Sequence, residues 1–269
     1  MGTVFDPPLS SIEIAQAVPG LAVERHLGDG GQGSVFLARN EAGEHLVIKV
    51  YVTVDDERRV DREIKKLGEV SSPHVVKLLG DGHCSLRGIS SRYCLIEWID
   101  GPDLTKAQKP FSEQEILRLL REATEGIRAL WATRSVHRDL KPANILRASD
   151  GRYVIVDLGL AKHLDRSGIT ELGRWCGTQG YASPEQAAGR GGLTFKSDLF
   201  SLGIVAIEMA LGKHPYAGRQ EVVCAAPPIT IHHFSESTNR LLKWATQRNS
   251  LDRPSTPEEF LNALQKVMS

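Results

Sequence analysis

The chain has 269 residues, of which 41% are hydrophobic and 25% charged; this is the make-up of an ordinary globular protein and excludes a disordered tail, a collagen-like repeat or a small cysteine-stapled scaffold. Lys plus Arg and Asp plus Glu number 33 each, so no net field favours a nucleic acid or an anionic membrane as partner. The most apolar stretch, 199–211, contains Glu208 and falls short of the roughly 20 apolar residues of a membrane span, and no N-terminal segment has the basic-then-apolar form of a signal peptide, so a cytoplasmic protein without a membrane span is expected.

Residues 1–20, with Pro7, Pro8 and Pro19-Gly20 around a short helical pattern, read as an extension before the first strand. Strand-like runs and glycine turns then alternate: 35–38 and 45–50 are predicted antiparallel strands joined at Asn40-Glu41-Ala42-Gly43. Val60, Ile64 and Leu67 recur at helical spacing and make 55–67 an amphipathic helix. Two further strands are expected at 75–79 and 92–96, and after Gly101-Pro102 the pattern turns helical. Ser112 with Glu115 forms a capping box ahead of Ile116, Leu119, Leu120, Ala123, Ile127 and Leu130. Segments 199–211, 236–246 and 257–267 read as more helices, which gives an α+β chain divided near 97–101. Cys84, Cys94, Cys176 and Cys224 stand far apart, with no CxxC or Cys/His metal spacing, and are expected to be reduced thiols.

Gly28-Asp29-Gly30-Gly31-Gln32-Gly33-Ser34-Val35 contains G-x-G-x-x-G followed by a strand. Glycines there let the backbone approach phosphate oxygens that a Cβ would obstruct, although glycine clusters also make plain hairpin turns, and the absence of a following helix argues against a dinucleotide fold. Lys49 ends the apolar run Val47-Ile48-Lys49 and needs either water or a counter-charge, which Glu63 on the next helix could supply. Further on stand His137-Arg138-Asp139-Leu140-Lys141-Pro142-Ala143-Asn144 and Asp157-Leu158-Gly159. Either aspartate alone could be a simple loop cap; the ordered set of glycine loop, strand lysine, helix glutamate, H-R-D-L-K-P-x-N and D-x-G is specific.

On these motifs the chain resembles the eukaryotic-type Ser/Thr protein kinase catalytic domain, bacterial-like in its Ser183-Pro184-Glu185-Gln186 run and in Phe200, over residues 21 to 267. The resemblance implies a bilobal protein-kinase-like fold, with a small antiparallel-sheet lobe at 21–99 carrying one helix and a larger, mainly helical lobe at 100–269. It implies that ATP lies against Leu27, Gly28, Asp29, Gly30, Gly31, Gln32, Gly33, Ser34 and Val35, then Val47 and Lys49, the backbone of Glu97 and Ile99 beyond Ile96, Asp103 near the ribose, and Leu146. Lys49, oriented by Glu63, would hold the α/β-phosphates; Asp139 would accept the proton of the attacking hydroxyl; Lys141 would neutralise the transferring phosphoryl; Asn144 and Asp157 would hold Mg2+, with Mn2+ as a substitute. The partners so implied are ATP and a protein substrate bearing Ser or Thr, with a homodimer as a route to autophosphorylation and with no nucleic acid.

The resemblance also pairs Glu185 with Arg253 and has Asp198 brace the catalytic loop. Thr170 is the expected autophosphorylation site, in a basic pocket of Arg138, Lys162 and Arg59; Arg174 stands where many relatives carry their main phosphothreonine, and Glu171 offers a permanent negative charge instead. Departures are Leu158 for the phenylalanine of D-F-G, Val47 for an alanine above the adenine, and only ten residues between Tyr216 and Pro227, where a docking helix looks trimmed or missing. The alternative in another class is a pseudokinase, a nucleotide-binding or protein-interaction module without transfer.

Overall fold

The computed structural model describes residues 5, 7–30, 33–51, 57–157, 162–163 and 177–269; for Gly30, Arg59, Lys162 and His163 it describes the backbone alone. These residues form two units, one of residues up to Ser71 together with Val76–Ile99, the other of Ser72–Val75 together with Asp100–Ser269.

The first unit is built on β1 (Ala22–Gly30), β2 (Gly33–Arg39), β3 (His45–Tyr51), β4 (Leu78–Leu86) and β5 (Ile89–Glu97), all antiparallel in the order β1-β2-β3-β5-β4. Side chains alternate between the two faces of a strand, and β3 uses both. Leu46, Ile48 and Val50 point one way, with Phe36 and Ala38, into a cluster completed by Phe5, Leu9, Ile14 and Val18. Those last four flank or belong to α1 (Ser11–Ala17), whose capping box joins Ser10 and Glu13. The opposite face carries Lys49 and Tyr51, and there α2 (Glu57–Glu69) lays Val60 and Ile64 against Tyr51 and Cys94.

One strand differs from expectation. Val75 does not open it but makes an isolated parallel bridge to Ile155 in the second unit, and β4 begins at Leu78. The β-branched Val75-Val76 pair mimics a strand start, whereas Gly80 and Gly82 interrupt the alternation of the real one. Gly82 is glycine for a reason of space, since a Cβ there would lie 2.6 Å from the Tyr93 hydroxyl of the neighbouring strand.

The second unit contains α3 (Glu113–Ala132), α4 (Pro184–Ala187), α5 (Phe195–Leu211), α6 (Gln220–Ala225), α7 (Glu236–Ala245) and α8 (Pro257–Met268), with the short pairs β6 (Ser135–Val136) with β9 (Lys162–His163) and β7 (Ile145–Arg147) with β8 (Tyr153–Ile155). From Phe195 to Ala210 only Lys196 escapes burial, so α5 is the central post of this unit. The trimmed connection after Tyr216 still contains a helix, α6, of six residues. Cys84, Cys94 and Cys224 are free thiols. No helix among the described residues is long and apolar enough to cross a membrane.

Arg253 ties α4 to α5 and to the turn before α8. Its Nη1 and Nη2 donate to Glu185 Oε1 and Oε2 at 2.7 and 2.9 Å, and its remaining donors reach the carbonyls of Gln247, Lys196 and Arg248. Burial alone would raise the Glu185 carboxyl, but the guanidinium and the Ser197 hydroxyl outweigh it and hold the group below its ordinary 4.5. Arg253→Met should therefore cost about 3–5 kcal/mol at neutral pH, because it strands a buried carboxylate. A carboxyl with a depressed folded pKa stabilises above its unfolded value and loses that contribution as pH falls through the folded one. Urea melts of the two proteins should thus converge as pH drops below 4.5; a gap that stays constant on acidification would refute the ion pair as the cause.

Candidate active site

In the first unit, β1 and β2 pair Gly28 with Val35, Asp29 with Ser34 and Gly30 with Gly33, leaving Gly31 and Gln32 at the hairpin tip outside the described residues. Asp29 Oδ1 accepts from Ser34 Oγ at 2.6 Å and lies 3.1 Å from His26 Nε2. These polar side chains therefore engage one another, and what the loop can offer an anion is backbone N–H groups. Gly33 is required by close approach, since a Cβ there would sit 1.8 Å from the Val50 carbonyl oxygen of β3.

Register across the sheet sets the next residues. Val35 faces Lys49, Lys49 faces Cys94, Val47 faces Ile96 and Leu46 faces Glu97. Lys49 Nζ stands 5.1 Å from the centre of the Tyr51 ring. Glu63, on the helix packed over this face, is 8% exposed. Both charges act on the buried Cys94 thiol, which desolvation pushes up. Of the expected adenine contacts, Val47 and Ile99 are buried and Leu27 is exposed. Glu97 turns its carboxylate back to the Lys77 N–H at 2.9 Å.

The second unit holds the loop of residues 137–144 that carries the expected catalytic side chains. Asp139 Oδ1 accepts from Thr178 Oγ1 at 2.7 Å, its Oδ2 lies 2.9 Å from Lys141 Nζ, and Lys141 donates to Thr178 Oγ1 at 2.9 Å. Asn144 Nδ2 donates to the Asp139 carbonyl at 2.9 Å and reaches Oδ2 at 3.4 Å. One carboxylate is thus fixed by a hydroxyl, an ammonium and an amide, with the amide oxygen of Asn144 turned away from these bonds. Asp103 and Leu146 meet in an isolated bridge, and Asp103 accepts from Thr105 and pairs with Lys106 at 2.9 Å. Burial raises the Asp103 carboxyl, and these hydrogen bonds more than reverse that.

The loop is held from below. Asp198, fully buried on α5, accepts from the His137 and Arg138 N–H groups, each at 2.8 Å. Its burial pushes the carboxyl up, against the pull of His137 and these two bonds. His137 Nδ1 accepts from the Asp139 N–H at 3.3 Å, so its Nε2–H donates to the Val156 carbonyl at 3.0 Å. That bond ties the loop to the strand end preceding Asp157. Arg138 and Asp157 both carry positive φ, 67° and 60°, a strained conformation for residues with a side chain that must be held by what surrounds them. Gln186 supplies part of that hold by donating to the Arg138 carbonyl. Gly177 stands beside both, and a Cβ on it would lie 2.6 Å from Gln186 Nε2. In the sequence Gln186 is only part of the Ser183-Pro184-Glu185-Gln186 run; a polar side chain one residue after Glu185 gives no sign of a partner 48 positions away.

Leu158, Gly159, Thr170, Glu171, Arg174 and Cys176 lie outside the described residues, as do the side chains of Arg59 and Lys162. Of the expected basic pocket, only the Arg138 side chain is described, and it is buried. Among the described residues no group of three or more His, Cys, Asp or Glu is arranged to hold a metal ion.

Comparison with known proteins accords with this geometry. The family model described as the protein kinase domain matches residues 21–265. "Probable serine/threonine-protein kinase PkwA" of Thermomonospora curvata is 34% identical over 245 residues, 86% of this chain and 32% of that protein. Serine/threonine-protein kinase pkn3 of Myxococcus xanthus is 30% identical, with 91% and 49% covered, and PrkC of Bacillus subtilis 30% identical, with 90% and 36% covered. The chain thus spans 32% to 49% of the length of these relatives. A match over this much of the sequence, running from the glycine loop past Arg253, establishes that the chain belongs to the protein kinase domain family.

Proposed function

We propose that the chain transfers the γ-phosphoryl group of ATP to serine and threonine hydroxyls of proteins in signalling, its own hydroxyls among them. The observation that carries this reading is the joint fixing of Asp139 by Lys141, Thr178 and Asn144. In a loose phosphoryl-transfer transition state the protein mainly positions groups and supplies charge. Asp139 Oδ1, now bonded to the Thr178 hydroxyl, is the oxygen that orients an incoming hydroxyl and takes its proton. Lys141 Nζ, next to Oδ2, stabilises charge on the phosphoryl oxygens as the bond to the leaving group lengthens. Lys49, on the strand over which Glu63 packs, holds the α/β-phosphates.

A divalent cation fits the donor set. Asn144 uses its amide nitrogen on Asp139, which leaves the amide oxygen, and Asp157 adds a carboxylate. Two such oxygen donors would suit Mg2+, which would take the rest of its coordination from phosphate oxygens and water, and Mn2+ would accept the same set. When bound, the ion neutralises developing charge on the β- and γ-phosphate oxygens. No observation favours the alternative of a nucleotide-binding module without transfer.

Incubation with ATP·Mg2+ and a mixed protein substrate should yield phosphoserine and phosphothreonine on phosphoamino-acid analysis; dominant phosphotyrosine would overturn the substrate assignment. Lys49→Met should retain the fold by circular dichroism and lose roughly 100- to 1,000-fold in transfer, and unchanged turnover would contradict the role given to the strand lysine. Thr170, read from sequence, should carry phosphate after ATP incubation when mapped by mass spectrometry. A fully active protein with Thr170 unmodified would mean that Glu171, or no anion at all, orders the segment.

A further inference from the structure

Helix α2 brings Glu63 to the strand of Lys49, but its apolar contacts do not fix how it is rolled about its own axis. At 100° per residue, Val60, Ile64 and Leu67 form one buried stripe; Glu63 borders it on one side, while Glu57 and Asp61 border it on the other. Apolar packing is non-directional, so a helix resting on such a stripe can roll, and a roll that keeps the stripe buried would still move Glu63.

The flank opposite Glu63 is tied down. Arg92, on β5 two residues before Cys94, is 9% exposed and shares the sheet face of Lys49. Its Nε lies 2.7 Å from Asp61 Oδ1 in an ion pair whose N–H is not aligned for a hydrogen bond, so charge alone holds that arm, while Nη2 donates to Asp81 Oδ2 on β4 at 2.8 Å and Nη1 to the Gly82 carbonyl at 3.1 Å. Nη1 is also 3.4 Å from His83 Nδ1, so His83 Nε2–H can donate to Glu57 Oε1 at 3.0 Å. One buried guanidinium therefore reaches α2 twice, directly at Asp61 and through His83 at Glu57, one helical turn apart. Its planar fork can join two carboxylates and a carbonyl at once, which a lysine could not.

We propose that Arg92 is a positioning residue: by latching the Glu57/Asp61 flank of α2 to the β4–β5 pair it sets the roll of the helix and hence the placement of Glu63 on the Lys49 face. This rests on the phosphoryl-transfer reading for its kinetic consequence, though not for its structural one.

The test compares Asp61→Asn, Arg92→Leu and Asp81→Asn, with Arg92→Lys as the conservative change, by steady-state kinetics in ATP and by amide hydrogen exchange. Asp61 is half-exposed, so its loss leaves the fold intact. Asp61→Asn should lower kcat/KM for ATP roughly 10- to 100-fold and raise exchange over residues 57–69 while β4 and β5 stay protected. Asp81→Asn, which cuts only an arm within the sheet, should do less; Arg92→Lys should recover only part of the loss, and the Asp61→Asn/Arg92→Leu double variant should be no worse than Arg92→Leu alone. Unchanged exchange over 57–69 in Asp61→Asn, exchange raised equally throughout the unit, or loosened 57–69 with wild-type kinetics would each overturn the latch as a positioning device. A wild-type protein without any transfer activity refutes the functional reading instead, and exchange over 57–69 then decides the latch by itself.

Discussion

Much of the second unit hangs on one carboxylate placed where water cannot reach it. Asp198 sits on a helix that is apolar almost all round, and a charge there is tolerated only because two backbone N–H groups satisfy it. Those N–H groups belong to His137 and Arg138, so satisfying the carboxylate dictates the path of the chain immediately before Asp139. The strained φ of Arg138 is then affordable, and the next side chain emerges toward Lys141, Thr178 and Asn144. Core burial and catalytic-loop geometry are one constraint seen from two sides.

The same economy joins distant segments. His137 serves as an acceptor for the Asp139 N–H and as a donor to Val156, and β6 pairs with β9, so the chain on either side of Asp157 is tied back to the loop holding Asp139. Gln186 reaches the Arg138 carbonyl from a third direction, across a space that a side chain at Gly177 would fill. Further along, Glu185 is carried beside Gln186 and anchored by Arg253, so the ion pair steadies the short helix from which that contact is made.

What the sequence discloses follows from the range of the interactions involved. Local signals read well: the Ser112–Glu115 box starts α3, the Val60–Ile64–Leu67 stripe marks α2, and the H-R-D-L-K-P-x-N run marks the loop in which Asp139, Lys141 and Asn144 are drawn together. Signals that depend on register or on distant partners do not. The sequence pattern places β4 too early, at Val75, because Gly80 and Gly82 conceal the alternation, and Gly82 is there to admit Tyr93 from another strand. Gln186 and Arg92 carry no local mark at all, since each is defined by partners on other elements. Asp198 became visible only through a resemblance, because periodicity alone describes its helix as uniformly buried.

The covering of the sheet by its N-terminal neighbour bears on what counts as the unit of this protein. Family similarity starts at residue 21, yet Phe5, Leu9, Ile14 and Val18 complete the cluster around Phe36, Ile48 and Val50, and Arg87 in the β4–β5 turn grips Glu13 and the Pro7 carbonyl. Cutting the chain where similarity begins would strip one face of a five-stranded sheet to solvent and present a contiguous apolar surface of the kind that drives association. The boundary inherited from ancestry and the boundary required for a closed core differ here by some fifteen residues. A lineage that shuffled this domain among longer proteins would have had to move that short preface with it, or find another cover for the same face.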